Sequence, residues 1–414
     1  MNCNFCFGGA DILLPRQISD QEFARRYAVI ACDQFTSEPA YWEKTEEIVG
    51  TSPSTLRLIL PEAYLGSSSE NKLAQIADRM KEYERDLFDV YTDSLVYVRR
   101  TVTGGKIRRG IVGKIDLMAY DYQVGTNAPV RATEGTVLSR IPPRVAVRRA
   151  ATIESPHIML LLDDKEQRVI ESLDAEIADL RKLYDFDLMQ NGGHIEGYLL
   201  NASRKESVLS AMQALVMHNN SSIQFAVGDG NHSLASAKAR FEEIRKEYGD
   251  AVAMEHPLRY ALCEVVNLHE DALVFEPIYR ILTVSAPKEL LRELQAYGSA
   301  CGRGDQHVHW VIGAEEGEIS LGAGTHPLTV GSLQNFLDAY KEKHPKTEID
   351  YIHGETSLRT LAKRKNTVGF LFDGMKKEEL FSTVECSGVL PRKTFSMGEA
   401  VDKRYYIECR KIEK

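Results

Sequence analysis

The run GDGNHS at residues 228–233 has the clearest potential for chemistry. A short apolar segment, 223–227, precedes it, and a helix-type pattern of apolar residues follows it. Glycines permit a sharp turn, and the first amides of a helix lack partners within the helix, so this junction suits a phosphate group. The residues expected to bind nucleotide phosphates here are Gly228, Gly230, Asn231 and Ser233.

Two side chains of this run are candidate catalytic residues. Asp229 would hold a magnesium ion or orient a substrate hydroxyl, and His232 would contact a phosphate oxygen or move a proton. A structural alternative remains open, in which Asp229 or Asn231 caps the helix and Gly230 makes the turn. The run is neither a P-loop nor a complete dinucleotide fingerprint, because GxxxxGK[ST] is absent and Ser233 replaces the third glycine.

An arginine-rich segment at residues 131–149 is the second candidate. It has five arginines, no lysine and one acid, Glu134, so its charge is 5 − 1 = +4 within a chain of net charge −9. Arginine suits phosphate and carboxylate because its planar fork binds both oxygens. The alternative is a solvated loop that pairs with acids elsewhere. The predicted phosphate ligands are Arg131, Arg140, Arg144 and Arg148, and the pair Pro142–Pro143 predicts that the segment is not helical.

Three further residues complete the predicted site. Asp33 follows the apolar run 28–31 and is a second candidate metal ligand beside Asp229. Lys393 lies in the basic, hydroxyl-rich stretch 391–399, which could close over a phosphate, although a plain basic tail fits the composition equally well. Glu134 is an alternative catalytic base.

The elements that must position these residues alternate between strands and helices. The strongest patterns are a helix over 73–87, a hairpin of 95–102 with 107–117 around two glycines, and a helix of residues 234–248 that stops at Gly249. Further strands are expected at 157–162, 260–266, 307–312 and 367–372, and helices at 166–184, 332–343 and 376–384. The pattern predicts an α/β or α+β fold with mixed sheets in three lobes, 1–125, 126–290 and 291–414.

Composition restricts the partners. The chain has 414 residues and a net charge of −9, which argues against nucleic acid and anionic membranes as partners. No run of 18 apolar residues is present, so no membrane span is expected. The seven scattered cysteines suit free thiols in the cytoplasm, and Cys3 and Cys6 form a single CxxC pair without a second pair to complete a zinc site. We therefore expect a small anionic ligand, and a homo-oligomer is compatible with the sequence.

Several motifs together resemble the bacterial family named domain of unknown function 1015 (DUF1015). They are RATEGT at 131–136, RIPPR at 140–144, ESPH at 154–157, GDGNHSLASAK at 228–238, LRYAL at 258–262, FEPI at 275–278 and LPRKTFSMGE at 390–399. They occur in order, and the resemblance covers essentially the whole chain. The family name assigns no function.

A more remote similarity concerns the central motif alone. In many relatives it reads DGHHR, which is similar to the motif of the ParB/sulfiredoxin-like superfamily, whose strand–turn–helix element grips nucleotide phosphates. Asp229, Gly230 and His232 match that motif, whereas Asn231 and Ser233 depart from it. The resemblance implies a nucleotide ligand, and because the motif arginine is missing, an arginine of the 131–149 segment would supply its charge.

The leading functional hypothesis is a phosphotransferase that binds a nucleotide (ATP or ADP) with Mg²⁺ and acts on a small metabolite. The first alternative is a non-catalytic, nucleotide-responsive binding or regulatory protein. The second is a hydrolase or ligase for a phosphorylated or carboxylated substrate, which the arginine segment would recognise.

Overall fold

The computed structural model describes residues 5–67, 70–219 and 221–413. The α-helices are α1 Gln21–Tyr27, α2 Pro39–Val49, α3 Glu70–Asp86, α4 Ile141–Ala150, α5 Ala202–His218, α6 Asn231–Tyr248, α7 Asp250–Met254, α8 Pro287–Ala300, α9 Thr329–Lys343, α10 Glu355–Leu361 and α11 Glu379–Ser387. The strands are β1 Phe7–Gly8, β2 Ala10–Pro15, β3 Val29–Ile30, β4 Phe88–Ser94, β5 Val96–Thr101, β6 Ile107–Asp116, β7 Tyr120–Asp121, β8 Val130–Ala132, β9 Ile153–Glu154, β10 Ile158–Leu162, β11 Arg181–Asp187, β12 His194–Leu199, β13 Phe225–Asp229, β14 Tyr260–Asn267, β15 Phe275–Thr283, β16 Gln306–Ile312, β17 Glu315–Gly322, β18 Glu348–His353, β19 Thr367–Leu371, β20 Phe395–Met397, β21 Tyr405–Tyr406 and β22 Arg410–Lys411. The predicted mixed α/β class is confirmed.

The chain divides into two compact units. The first contains residues 1–132, 136–273 and 399–414, and the second contains residues 133–135 and 274–398. The sequence predicted three consecutive lobes. That division stays a prediction, and in the structure residues 399–414 belong to the first unit.

A large mixed sheet organises the first unit. Its strands follow the order β11-β12-β5-β6-β14-β10-β13-β8-β7, and β1 pairs with β6. β10 runs parallel to β14 and antiparallel to β13, while β13 runs parallel to β8. The strand that leads into the GDGNHS run is therefore held between two neighbours.

Alternating side chains give this sheet two buried faces. On β5, Val96 and Val98 pack into one apolar cluster, while Tyr97, together with the preceding Leu95, packs into another. Successive side chains of a strand point to opposite faces, so the first half of β5, which is buried on both sides, is apolar at every position. The predicted hairpin is confirmed, and Gly104 makes its turn with φ +80°.

Two local predictions were wrong. Pro142 and Pro143 do not prevent a helix, because they lie in the first turn of α4, where the missing N–H of proline is not needed. The helix expected over 166–184 is a 3₁₀ segment, Glu171–Asp179, followed by strand β11. There the β11–β12 pairing outweighs local helix propensity.

The second unit has its own sheet. The strand order is β17-β16-β19-β15-β18, and β20 extends the pairing of β15. Arg280 of β15 is fully buried and donates to the backbone oxygens of Ile278, Arg392 and Lys393. This guanidinium fixes the turn that carries Arg392 and Lys393.

No helix among the described residues is both long and apolar enough to cross a membrane.

Candidate functional site

The strand–turn–helix junction occurs where the sequence predicts it. β13 ends at Asp229, Gly230 adopts a left-handed conformation (φ +75°, ψ 27°), and α6 begins at Asn231. Gly230 is the N-cap residue, and it has no side chain that could cap the helix. Asp229 and Asn231 therefore do not occupy the N-cap position, while Gly230 makes the turn.

The turn lies directly against the start of β10. A Cβ atom placed on Gly230 would lie 2.9 Å from Cδ2 of His157 and 2.9 Å from Cα of Ile158. Only glycine combines a left-handed backbone with so close an approach. The first turn of α6 is thereby fixed beside the His157 imidazole.

His157 connects two distant parts of the chain. Its Nε2 lies 3.1 Å from Oδ2 of Asp33, and its Nδ1 lies 2.6 Å from the hydroxyl of Tyr406. That hydroxyl also accepts a hydrogen bond from the backbone N–H of Cys32. Asp33, His157 and Tyr406 thus form a continuous polar chain next to Gly230.

The Asp33–His157 pair is held in its charged form. Burial disfavours the imidazolium, but the Asp33 carboxylate outweighs burial and raises the pKa of His157 well above 6.5. Burial would also raise the pKa of Asp33, but the charge of His157, its hydrogen bond and the amide of Gln34 lower it below its ordinary value. The pair therefore places an imidazolium next to a carboxylate beside the turn.

Asp229 forms an ion pair with Lys403. Its Oδ2 pairs with Nζ of Lys403 at 3.1 Å, and its Oδ1 accepts the N–H of Gly230 at 2.8 Å. Lys403 and Tyr406 come from the C-terminal segment that rejoins the first unit.

His232 has a defined tautomer in its neutral form. Its Nε2 accepts the backbone N–H of Val137 at 3.2 Å, so the ring proton must be on Nδ1. Burial and the positive charges of Arg144 and Arg140 lower the pKa of His232, and Asp33 opposes them weakly. The neutral ring can donate from Nδ1 to a phosphate oxygen, but its second nitrogen is already engaged.

The first prediction concerns pH and His232. Because its folded-state pKa lies below 6.5, the unfolded chain binds more protons at mildly acidic pH. This contribution to stability is complete above 6.5 and is lost as pH falls through the folded-state pKa. We expect the unfolding free energy of the wild type, relative to His232→Phe, to decrease between about pH 7 and about pH 5.5.

Denaturant titrations of both proteins at each pH measure this difference, and hydrogen exchange at the Val137 amide reports the local contact. A difference that does not change with pH would contradict the prediction.

A cavity of about 170 Å³ lies beside these groups. Its apolar wall includes Leu58, Leu60, Met80, Ile153 and Ile412. Its polar wall includes Arg144, Arg148, His157, Ser233 and Tyr406. Ser233 belongs to the first turn of α6, so one cavity joins an apolar surface to the helix N-terminus.

The structure separates the predicted arginines. Arg144 and Arg148 line the cavity, where they pair with Glu62 and Glu154. Arg140 is exposed at the start of α4, and its charge acts on His232. Arg131 is buried and bonds to Ala128 and Ser222, and it does not line the cavity.

The remaining predicted residues lie elsewhere. Glu134 and Lys393 belong to the second unit, and both are exposed. Cys6 is buried and bonds to Gln224 in the first unit, while Cys3 is outside the described residues. The functional roles predicted for these residues stay predictions.

Magnesium does not fit the two predicted carboxylates as they stand. Both oxygens of Asp33 face protein donors, Gln34 and His157, and both oxygens of Asp229 face Gly230 and Lys403. Among the described residues, the group of three side chains that could hold a metal lies on β11 and β12 instead: Asp185, His194 and Glu196. Lys182 and Arg99 already contact carboxylates of that group.

Sequence reasoning missed three residues of this site: His157, Lys403 and Tyr406. Lys403 and Tyr406 follow the basic stretch at 391–399, and His157 ends the ESPH motif. Those positions were visible in the sequence, but their proximity to Gly230 was not.

Comparison with known proteins places the chain in a family. The family model described as "Protein of unknown function (DUF1015)" matches residues 13–386. This chain belongs to that family. No curated protein matches this DUF1015 chain.

Solved structures show a weak similarity to the DUF1015 chain. A free serine kinase in complex with AMP has a TM-score of 0.37 and 12% identity, covering 71% of this chain and 96% of that one. A conserved hypothetical protein from Pyrococcus furiosus has a TM-score of 0.34 and 10% identity, covering 71% and 96%. SbnI from Staphylococcus aureus, truncated at its C-terminus, has a TM-score of 0.33 and 11% identity, covering 66% and 82%.

Proposed function

We propose that the first unit of this DUF1015 chain binds a nucleotide and transfers its terminal phosphoryl group to a small metabolite. The observation that carries the proposal is the shared wall of the cavity, in which Leu58, Leu60 and Met80 lie in the same pocket as Ser233 and Arg144. A nucleotide likewise has an apolar and a polar part. Its flat base favours apolar contacts, and its phosphates favour amide and guanidinium donors.

The cavity accommodates only part of such a ligand. Its volume of about 170 Å³ is below the roughly 300–1,000 Å³ of pockets that enclose a drug-sized molecule. The base would occupy the cavity, and the phosphates would lie at the first turn of α6.

Each polar group has a role in this proposal. The amides of the first helical turn and Nδ1–H of His232 would donate to phosphate oxygens, while Arg144 and Lys403 would supply positive charge. Asp229 would accept the proton of the attacking hydroxyl as the oxygen–phosphorus bond forms and the bond to the leaving phosphate breaks. No step is assigned to a metal ion.

The second candidate function is nucleotide-responsive binding without catalysis. The engagement of both oxygens of Asp33 and of Asp229 favours it, because neither carboxylate is free to organise a metal-bound phosphate. Binding of a nucleotide without turnover of any acceptor would support this alternative.

A thermal-shift series with AMP, ADP and ATP tests the binding step. A nucleotide present at 100 times its Kd should stabilise the protein by about 2.7 kcal/mol. We expect Arg144→Gln to weaken binding about tenfold or more, because a hydrogen bond to a charged group is worth about 1.5–3 kcal/mol.

The control is Arg26→Gln, which removes an arginine that pairs with Glu22 on the surface of α1. Equal nucleotide affinities for both variants and the wild type would contradict the proposed site. Asp229→Asn then separates the two functions, since it should abolish phosphoryl transfer while nucleotide binding persists.

A further inference from the structure

We infer that a second groove of the first unit binds a small molecule with a phosphate or carboxylate group next to an apolar part. This groove, here termed the arginine groove, has a volume of about 660 Å³ and is lined by residues of α3, α4, α6 and α7. The volume lies within the roughly 300–1,000 Å³ of known ligand pockets. It is distinct from the cavity of the proposed nucleotide site, although Arg148, Ala151 and Ile412 line both.

Buried donors without partners are the first observation. Thr152 lines the groove and is 3% exposed, and its Oγ1 is buried without a hydrogen-bond partner among the described residues. Two further residues of the lining, Arg148 and Arg240, each have a buried Nε without a hydrogen-bond partner among the described residues. A buried donor without a partner costs about 1–3 kcal/mol, and the oxygens of an anionic ligand would satisfy these donors once their side chains turn toward the groove.

The charges of the groove point to the same class of ligand. Arg149 and Arg240 share one carboxylate, that of Glu243, with nitrogen–oxygen distances of 3.0 and 2.9 Å. Lys81 adds a further cation to the lining. Asp78 and Glu413 also line the groove, and they are exposed like Lys81, so water screens all three charges.

Apolar side chains form most of the remaining wall. Tyr248 and Val252 are 54% and 44% exposed, and Ile244 and Leu258 lie in the same lining. Tyr248 is the last residue of α6, and its ring lies in this groove. An aromatic or aliphatic group beside the anion would cover this surface.

Phenyl phosphate is a suitable probe because it combines an anionic phosphate with an apolar ring. We would titrate it into the full-length chain by calorimetry at low salt. We expect Thr152→Val to weaken binding about fivefold, as for loss of one hydrogen bond, and Arg240→Gln to weaken it about tenfold, as for a charge-assisted one. Phenyl phosphate should bind more tightly than either inorganic phosphate or phenol.

Two controls separate ligand binding from structural roles. Arg245 is also on α6, but it pairs with Glu242 and Asp250 and does not line the groove, so Arg245→Gln should leave the affinity unchanged. Thr152→Val should not lower the unfolding free energy, because its hydroxyl has no partner to lose. A large loss of stability in this variant would show that the hydroxyl is structural and would overturn the inference.

A variant of the proposed nucleotide site tests whether phenyl phosphate binds in the cavity instead of the arginine groove. If Arg144→Gln abolishes phenyl phosphate binding while Thr152→Val and Arg240→Gln leave it intact, the probe occupies the cavity and the inference is wrong. Phenol binding as tightly as phenyl phosphate would also overturn it. Because the arginine groove and the cavity are tested by different variants, either site can fail without the other.

Discussion

Replacing Arg404 by methionine is expected to lower the free energy of unfolding by about 3–5 kcal/mol. Arg404 is 4% exposed and pairs with Glu264 and Glu408, which are 2% and 0% exposed. Its Nε also donates to the backbone oxygen of Pro156 at 2.9 Å. Without the guanidinium, two carboxylates remain buried without their cation, and desolvation of those charges dominates the loss.

Chemical denaturation of the purified variant measures this change. Arg26→Met is the matched control, since it breaks an exposed pair with Glu22, worth about 0–1 kcal/mol. Adding Glu264→Gln to Arg404→Met should recover part of the stability, because the cost comes from the unpaired charge. A loss no larger than that of the control would contradict the prediction.

This pair network has a direct consequence for the candidate site. Arg404 lies between Lys403 and Tyr406, the residues that contact Asp229 and His157. Its interactions with Glu264 and Pro156 fix this segment to β14 and to the residue before His157. The buried ion pairs therefore position two polar groups of the site, and Arg404→Met should reduce nucleotide binding as well as stability.

Local features of the fold could be predicted because each depends on a few neighbouring residues. The hairpin of β5 and β6 follows from alternation and two glycines, and the β13–α6 junction follows from an apolar run, Gly230 and a helical stripe. The end of α6 at Gly249 is also confirmed. The helix over Ile141–Ala150 was missed because Pro142 and Pro143 were treated as helix breakers without considering the first turn.

The assembly of the site could not be predicted from spacing. His157 is separated by 124 residues from Asp33 and by 249 residues from Tyr406. Only the pairing of β10 with β13 and the return of the C-terminal segment bring these residues to Gly230. The same limit applies to the prediction that Arg131 binds phosphate. Its residue type suits phosphate, but from its position on β8 it donates hydrogen bonds to Ala128 and Ser222.

Replacing Gly230 by alanine is expected to weaken nucleotide binding about tenfold or more, since displacement of the α6 amides removes at least one hydrogen bond to a charged group. Two effects destabilise the turn in this variant. A left-handed conformation costs a non-glycine residue about 1–2 kcal/mol. The new Cβ would also lie 2.9 Å from both His157 Cδ2 and Ile158 Cα, so the turn or β10 must move.

Gly104→Ala separates these two effects. Gly104 has a similar left-handed backbone (φ 80°, ψ 5°), but no atom lies within 4 Å of the position of its Cβ. Both variants should therefore lose the stability that left-handed strain costs, while Gly230→Ala should lose more and should alone lose affinity for nucleotide. If Gly230→Ala binds nucleotide as tightly as Gly104→Ala, the phosphate group does not lie at the turn between β13 and α6. A phosphate bound there would lose affinity when the turn is displaced.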